Sequence, residues 1–277
     1  MNELELIDRI RRRVPLQGGR LVLGIGDDCA VFRPEGSRED LLFTTDLTIE
    51  DVHFRSGMSP QFVGAKALAR GLSDIAAMGG TPQFCLVSLA LPKLSFADGF
   101  YRGLLPLAKR HKTVLAGGDV SRARKFAADI VVCGSALRGK ALRRDGARVG
   151  DAIYVSGPLG RAASREYNDL PVPRLVAGRK LLGHATACMD LSDGLSIDLH
   201  RLCLASRVAA QLTHVPVFPG ATLQQALHGG EDYELLFMGK GVNLSGAFCI
   251  GQIVAGPPGS VWLDGTPLPL LGHDHFA

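Results

Sequence analysis

The chain has 277 residues, long enough for two domains with sizeable cores, and its 46% hydrophobic and 21% charged residues are those of an ordinary globular protein. No apolar run approaches the ~18 residues that span a bilayer. The six cysteines are scattered without a CxxC pair, which argues against a zinc cluster or disulfide framework. A formal charge of +4 with 6% aromatics leaves no nucleic-acid footprint. Residues 1–13 mix acids with Arg9, Arg11, Arg12 and Arg13 and lack the apolar core of a signal peptide, so the reading is a cytoplasmic protein with no membrane or nucleic-acid partner.

In chain order, residues 1–13 read as a helix with Leu4, Ile7 and Ile10 inward. Residues 21–25 read as a strand running into Gly26-Asp27-Asp28, and 40–46 as a second strand ending in a carboxylate. Ser59-Pro60 starts a helix, with Ser as N-cap and Pro in the first turn, that reaches Gly79-Gly80. Residues 84–90 are a strand, 95–111 a helix, and 113–116 and 129–136 strands; the strands of this half read as short. The basic, polar segment 138–149 is the expected linker. Beyond it, 151–156 reads as a strand, 174–182 as a helix, and 195–206 as a helix entered through Asp190-Leu-Ser192-Asp193-Gly194. Residues 209–212, 233–238, 247–253 and 260–263 read as strands. The expectation is two α/β domains, residues 1–138 and 149–277.

Glycine is the informative excess, at 34 residues, and it clusters beside acids. The clusters are GIGDD at 24–28, TTD at 44–46, LSD at 72–74, GGD at 117–119, DLSDG at 190–194 and GGED at 229–232. Singly, each has a plain structural explanation. Gly-Asp is usually a turn, Asp74 can pair with Arg70 on a solvated helix face, Asp193 can cap the helix that follows it, and a lone His53 beside Phe54 can simply be packed. Together they place many carboxylates at the ends of elements, where α/β proteins bind ligands. Carboxylates ~4 Å apart repel by ~4 kcal/mol at an effective dielectric of ~20, so such a cluster calls for cations. Oxygen ligands without nearby His or Cys favour Mg²⁺, and Mg²⁺ favours polyphosphate. No GxxxxGK[ST], protein-kinase or GxSxG signature is present.

These clusters, with His53-Phe54, KALARGLSDIAAMG at 66–79, MDLSDGL at 189–195, GGEDYELLF at 229–237 and HDHF at 273–276, resemble the thiamine-monophosphate kinase family, in order and over nearly the whole chain. The resemblance implies the two-domain aminoimidazole ribonucleotide synthetase-like fold, an α/β (α+β) architecture whose N-terminal domains pair into a homodimeric β-barrel. It implies ATP as co-substrate, thiamine monophosphate as acceptor and several Mg²⁺ ions per site. Carried over residue by residue, Asp27, Thr45, Asp46, Asp74, Asp119, Asp190 and Asp193 become Mg²⁺ ligands, with Thr44 beside them through its backbone or hydroxyl. Gly118, Asp119, Arg144 and Ser192 become ATP contacts, and His53, Glu231 and His273 contacts to the thiamine phosphate. No dedicated base is implied, because the acceptor phosphate is already ionised.

The chain departs from the family in short segments at 160–173 and 217–227, in His273 where an aromatic is frequent, and in lacking a match near Arg110 and His111 for a nucleotide-side tyrosine. The rival readings are a related ATP-dependent synthetase and a non-catalytic nucleotide- or thiamine-binding protein. Cys29 lacks the glycine-rich setting of selenophosphate synthetase. Residues 47–50 are not the DGVGTK-like stretch of the aminoimidazole enzyme, and no cysteine tail marks a hydrogenase-maturation protein.

Overall fold

A computed structural model describes residues 3–14 and 17–273. After α1 (Glu3–Arg11) come β1 (Leu21–Leu23), β2 (Ala30–Phe32) and β3 (Glu39–Ile49). The first half is completed by α2 (Pro60–Ala77), β4 (Thr81–Leu91), α3 (Leu94–Arg110), β5 (Val114–Arg122) and β6 (Ala127–Leu137). A single 3-10 turn, Arg144–Gly146, leads to the second half. There follow β7 (Ala152–Val155), α4 (Arg161–Ser164), α5 (Leu175–Leu181), β8 (Ala187–Asp190), α6 (Leu195–Ser206), β9 (Ala209–Leu212) and α7 (Leu223–His228). The last strands are β10 (Leu235–Gly239), β11 (Phe248–Val254), β12 (Val261–Leu263) and β13 (Thr266–Pro267).

The fold is mixed α/β, built on two sheets. The first is open, in the order β1-β2-β3-β6-β4-β5, and the second runs β13-β12-β9-β11-β7-β10-β8. Most neighbours are antiparallel; β4 with β5 and β9 with β12 are parallel. The strands of the first sheet are not short: β3, β4 and β6 each have 11 residues. β3 pairs with β6 along its whole length, from Glu39↔Leu137 to Ile49↔Ala127. A carboxylate or a glycine pair reads locally as a strand end, but the cross-strand ladder carries the backbone straight through it. Asp46 therefore lies inside β3, and Gly118 and Asp119 lie inside the edge strand β5.

α2 organises the molecule. Ser59 Oγ accepts the Phe62 N–H at 3.2 Å and Pro60 opens the first turn, as the sequence predicts. The helix packs on β3 and β6, on α3, and on α5 and β8. It meets α3 so closely that a Cβ on Gly64 would lie 2.0 Å from the Phe100 carbonyl oxygen, and one on Gly103 would lie 1.8 Å from that of Gln61. Its inward residues Leu68, Leu72 and Ile75 share one core with Phe100, Ile130 and Val132 of the first half and Leu181, Cys188 and Phe237 of the second. A separate core, including Val155, Leu199, Leu202 and Ile253, fills the second sheet against α6. Five of the six cysteines are buried; Cys249 is exposed. Among the described residues no helix is long and apolar enough to cross a membrane.

Candidate active site

A cavity of about 480 Å³ opens where α2 meets β3 of the first sheet and β8 at the edge of the second. Its floor is acidic, with Asp74 and Asp190 among the lining residues. Asp28, from the turn before β2, Asp74, from the last turn of α2, and Asp190, the last residue of β8, bring carboxylate oxygens within 4.8 Å of one another. At that spacing each pair of charges repels by ~3–4 kcal/mol at an effective dielectric of ~20. Burial, reinforced by neighbouring carboxylates, pushes Asp74 and Asp190 well above the usual carboxylate range. Burial and Asp28 raise Asp27 to about 7. Burial also raises Asp46, opposed by the Arg70 guanidinium 3.3 Å away.

The fold supplies only part of the compensation. The Arg144 side chain pairs with Asp28, and its backbone N–H donates to Asp27 at 3.1 Å. Ser73 Oγ donates to Asp190 at 2.7 Å and Thr44 Oγ1 donates to Asp74. Asp28 Oδ2 and Asp46 Oδ2 are buried without a hydrogen-bond partner. Buried carboxylate oxygens without donors, in an all-oxygen set, fit a hard divalent cation such as Mg²⁺. Burial pushes the neighbouring Cys29 and Cys188 thiols well up, and neither belongs to the oxygen cluster.

The opposite wall is built from loops. His53 follows β3 in a tight turn whose Ile49 N–H donates to the imidazole Nδ1 at 3.0 Å, which leaves the proton of the neutral ring on Nε2. Glu231 lies in the loop entering β10. Glu166 and Tyr167 come from the segment after α4, where the Tyr167 hydroxyl donates to the Gly229 carbonyl at 2.8 Å. Arg55 reaches Glu166 at 3.2 Å, joining the two rims through a pair whose side chains are 70% and 69% exposed. The His273 N–H donates to the Asp193 carbonyl at 3.1 Å. Asp51, Glu166, Tyr167, Glu231 and Tyr233 all line this cavity and all have left-handed backbone, with φ between 51° and 64°. Non-glycine residues held there cost of order 1–3 kcal/mol each and gather where function fixes the backbone.

Of the residues singled out in the sequence, Asp46, His53, Asp74, Arg144, Asp190, Ser192, Asp193, Glu231 and His273 line the cavity. Asp27 lies just behind, against Arg144. It is Asp28, the second acid of the pair, that joins Asp74 and Asp190. Thr44 supports Asp74, and Thr45 turns outward to donate to Asp129 at 2.5 Å. Gly118 and Asp119 are exposed on β5 and are not among the lining residues. Two of the simpler explanations fail. Arg70 pairs with Asp46, not Asp74. Asp193 does not cap α6; Asp198, from within the helix, accepts the Asp193 and Gly194 N–H groups at 3.0 and 3.1 Å.

Sequence reading missed Asp28, Asp198, Lys66, Arg70, Tyr167 and Tyr233. Asp28 and Tyr233 stood inside motifs already noticed; Tyr167 carries no local signal. The tail after His273, Asp274 to Phe276, lies outside the described residues.

Residues 26–137 match the AIR synthase related protein, N-terminal domain, which places the first half in that class of fold. Over 99% of its length the chain is 35% identical to the thiamine-monophosphate kinase of Escherichia coli K12, covering 98% of that protein. It is 30% identical to the thiamine-monophosphate kinase of Aquifex aeolicus, across 100% of this chain and 98% of the other. The chain belongs to the thiamine-monophosphate kinase family. Among solved structures, AaThiL complexed with AMPPCP and TMP superposes with a TM-score of 0.89 at 30% identity, covering 99% of this chain and 97% of that one. Thiamine-monophosphate kinase from Stenotrophomonas maltophilia K279a gives 0.77 at 34% identity, with 96% and 98% covered.

Proposed function

We propose that the chain transfers the γ-phosphoryl group of ATP to the phosphate of thiamine monophosphate, giving thiamine diphosphate. The observation that carries this reading is the polarity of the cavity. One end is a buried carboxylate cluster with oxygens left unpaired; the other is a wall of imidazole, phenol and carboxylate that suits a flat cationic heterocycle. The acceptor oxygen of a phosphate monoester is largely ionised at neutral pH, so the reaction needs charge screening and alignment more than a base. Bound Mg²⁺ would supply that screening between the two anions. Asp28, Asp46, Asp74 and Asp190 would hold it, with Asp27 and Asp193 at the margin. Thr44 and Ser73 keep Asp74 and Asp190 oriented, and Arg144 offsets the charge of Asp27 and Asp28. Ser192 and Arg144 stand where a nucleotide phosphate would approach, and His53, Glu231, Tyr167 and His273 face the thiamine end.

The same reading treats residues 1–138 as the dimerisation and nucleotide domain and 149–277 as the second domain. β5 is an unpaired edge, and Val114 and Val120 are exposed along it. Edge strands of this kind invite pairing. A second copy joined there, closing the open sheet into a shared barrel, would give Gly118 and Asp119 a role in a composite nucleotide site. The test is ADP release in a coupled assay with and without thiamine monophosphate, together with identification of the product. Turnover independent of thiamine monophosphate, or binding of both ligands without product, overturns the proposal.

A further inference from the structure

Lys66 is the bulkiest of the fully buried side chains, with 1% of its surface exposed. A buried ammonium is costly unless it is paired and hydrogen-bonded. Its Nζ donates to Glu231 Oε2 at 2.7 Å and to the His53 carbonyl at 2.9 Å. Arg70 stands one turn further along α2 and repeats the pattern. Its Nε donates to the Tyr233 hydroxyl at 2.9 Å, and its Nη1 donates to the Leu47 carbonyl at 2.8 Å and to Thr48 Oγ1 at 3.3 Å. Two cations four residues apart on one helix thus each reach both walls of the cavity. One wall is the end of β3 with the turn that follows it; the other is the loop 229–233. The two side chains they seize on that loop, Glu231 and Tyr233, belong to residues with left-handed backbone, at φ 56° and 51°.

We propose that Lys66 and Arg70 are positioning residues that fasten the His53 turn to the Glu231 loop and set the width and orientation of the acceptor end of the cavity. Lys66 does not line the cavity; it acts through Glu231 and the His53 backbone. It engages Oε2 of the Glu231 carboxylate, and Glu231 itself lines the cavity. The pair therefore presents a fixed acceptor of little net charge to whatever binds there. Without the ammonium, Glu231 has no side-chain tether to α2, and the strained backbone at 231 loses the contact that offsets its cost.

The test uses the full-length protein and two readouts. Amide hydrogen exchange on Lys66→Met should accelerate together at 51–55 and 229–233 and stay unchanged in β4, β6 and β11. The kinetic readout rests on the kinase reading: KM for thiamine monophosphate should rise about tenfold or more, while KM for ATP moves less than about twofold. Because Lys66→Met leaves a half-buried carboxylate unpaired, the double variant Lys66→Met with Glu231→Gln serves as a folding-safe partner. In the Glu231→Gln background, adding Lys66→Met should raise KM for thiamine monophosphate by clearly less than it does in the wild type, since Glu231 is one of the two groups through which Lys66 acts. Tyr233→Phe should loosen 229–233 without touching a charge. Exchange that rises throughout the protein, equal increases in both KM values, or additive effects in the cycle would show that Lys66 is only a core residue. If wild-type turnover proves independent of thiamine monophosphate, the kinase reading fails and the exchange result alone decides: paired loosening of the two walls upholds the clamp, and unchanged exchange there overturns it.

Discussion

Asp46 Oδ1 lies 3.3 Å from an Arg70 guanidinium nitrogen, while Asp46 Oδ2 is buried with no hydrogen-bond partner. One oxygen is anchored to α2 and the other is left for a ligand. Asp46→Asn keeps the shape and removes the charge. Phosphoryl transfer should fall by roughly 100-fold or more, the loss typical of deleting a charge-stabilising group. Near wild-type turnover at saturating Mg²⁺ would remove Asp46 from the site.

Mg²⁺ should stabilise the folded chain measurably. At about a hundredfold excess over its dissociation constant a ligand adds ~2.7 kcal/mol, roughly 5–10 °C in melting temperature for a protein of this size. EDTA should reverse the gain, and Asp190→Asn should abolish most of it, because Asp190 shares the cluster with Asp28 and Asp74. An undiminished shift in the Asp190 variant would place the metal elsewhere.

The edge strand β5 leads to a prediction about assembly. Val120 is 50% exposed beside Asp119, on the open side of the first sheet. Sedimentation at micromolar concentration should show a homodimer, and Val120→Lys should give a monomer with impaired turnover. A fully active wild-type monomer would refute both the dimer and the composite site.

Stability towards acid should depend on Asp40. Arg33 donates to its two carboxylate oxygens at 2.6 and 2.8 Å and the Gly139 N–H adds a bond of 2.8 Å. Those bonds, the Arg33 pair first, hold the Asp40 pKa below its ordinary value. The unfolded chain therefore takes up the proton at a higher pH than the folded one. The stabilisation is present above about pH 4 and drains away as the pH falls through the lowered folded value. Asp40→Asn should cost roughly 1.5–3 kcal/mol at pH 7. Chemical denaturation repeated near pH 3 should find the variant and wild type much closer together; an equal gap at both pH values would contradict the linkage.

His273 lines the cavity beside Asp193. A phenol has more area than an imidazole for stacking on a cationic ring. His273→Tyr should lower KM for thiamine monophosphate and leave that for ATP nearly unchanged. Equal changes in both, or none in either, would show that the side chain does not touch the acceptor.

Much of this was legible in the residues. The Ser59-Pro60 start of α2, the continuous apolar run of β10 and the acidic motifs are local signals, and the acids at 46 and 74 meet because each sits on an element whose type the sequence specifies. The rest needed tertiary contacts. Nothing in GIGDD tells which acid joins Asp74 and Asp190; the turn before β2 brings Asp28 there. β2 itself, at 3 residues, is too short for a periodic signal. α7 was missed although its capping box was on view, with Thr222 Oγ1 accepting the Gln225 N–H at 3.2 Å and Gln225 Oε1 accepting the Thr222 N–H at 2.9 Å. Lys66 stood inside the 66–79 motif without a role of its own, and only the fold shows it enclosed. The strand at 40–46 reads as ending at Asp46, and that at 113–116 as stopping before Gly117-Gly118-Asp119, because ladder pairing is not written in a single segment.

The core that α2 shares with both halves fixes how the molecule can give way. Leu72 and Ile75 belong to the same apolar cluster as Leu181 and Phe237, so swinging the two sheets apart as rigid bodies would open a dry interface to water. Hinge opening is therefore an expensive route to the cavity, and melting should be one cooperative event rather than two. The inexpensive route is the rim, where the exposed Arg55–Glu166 pair is screened by solvent and contributes little. Substrate arrival and product departure should run through that weak clasp, at a pace set by two short loops and sensitive to salt.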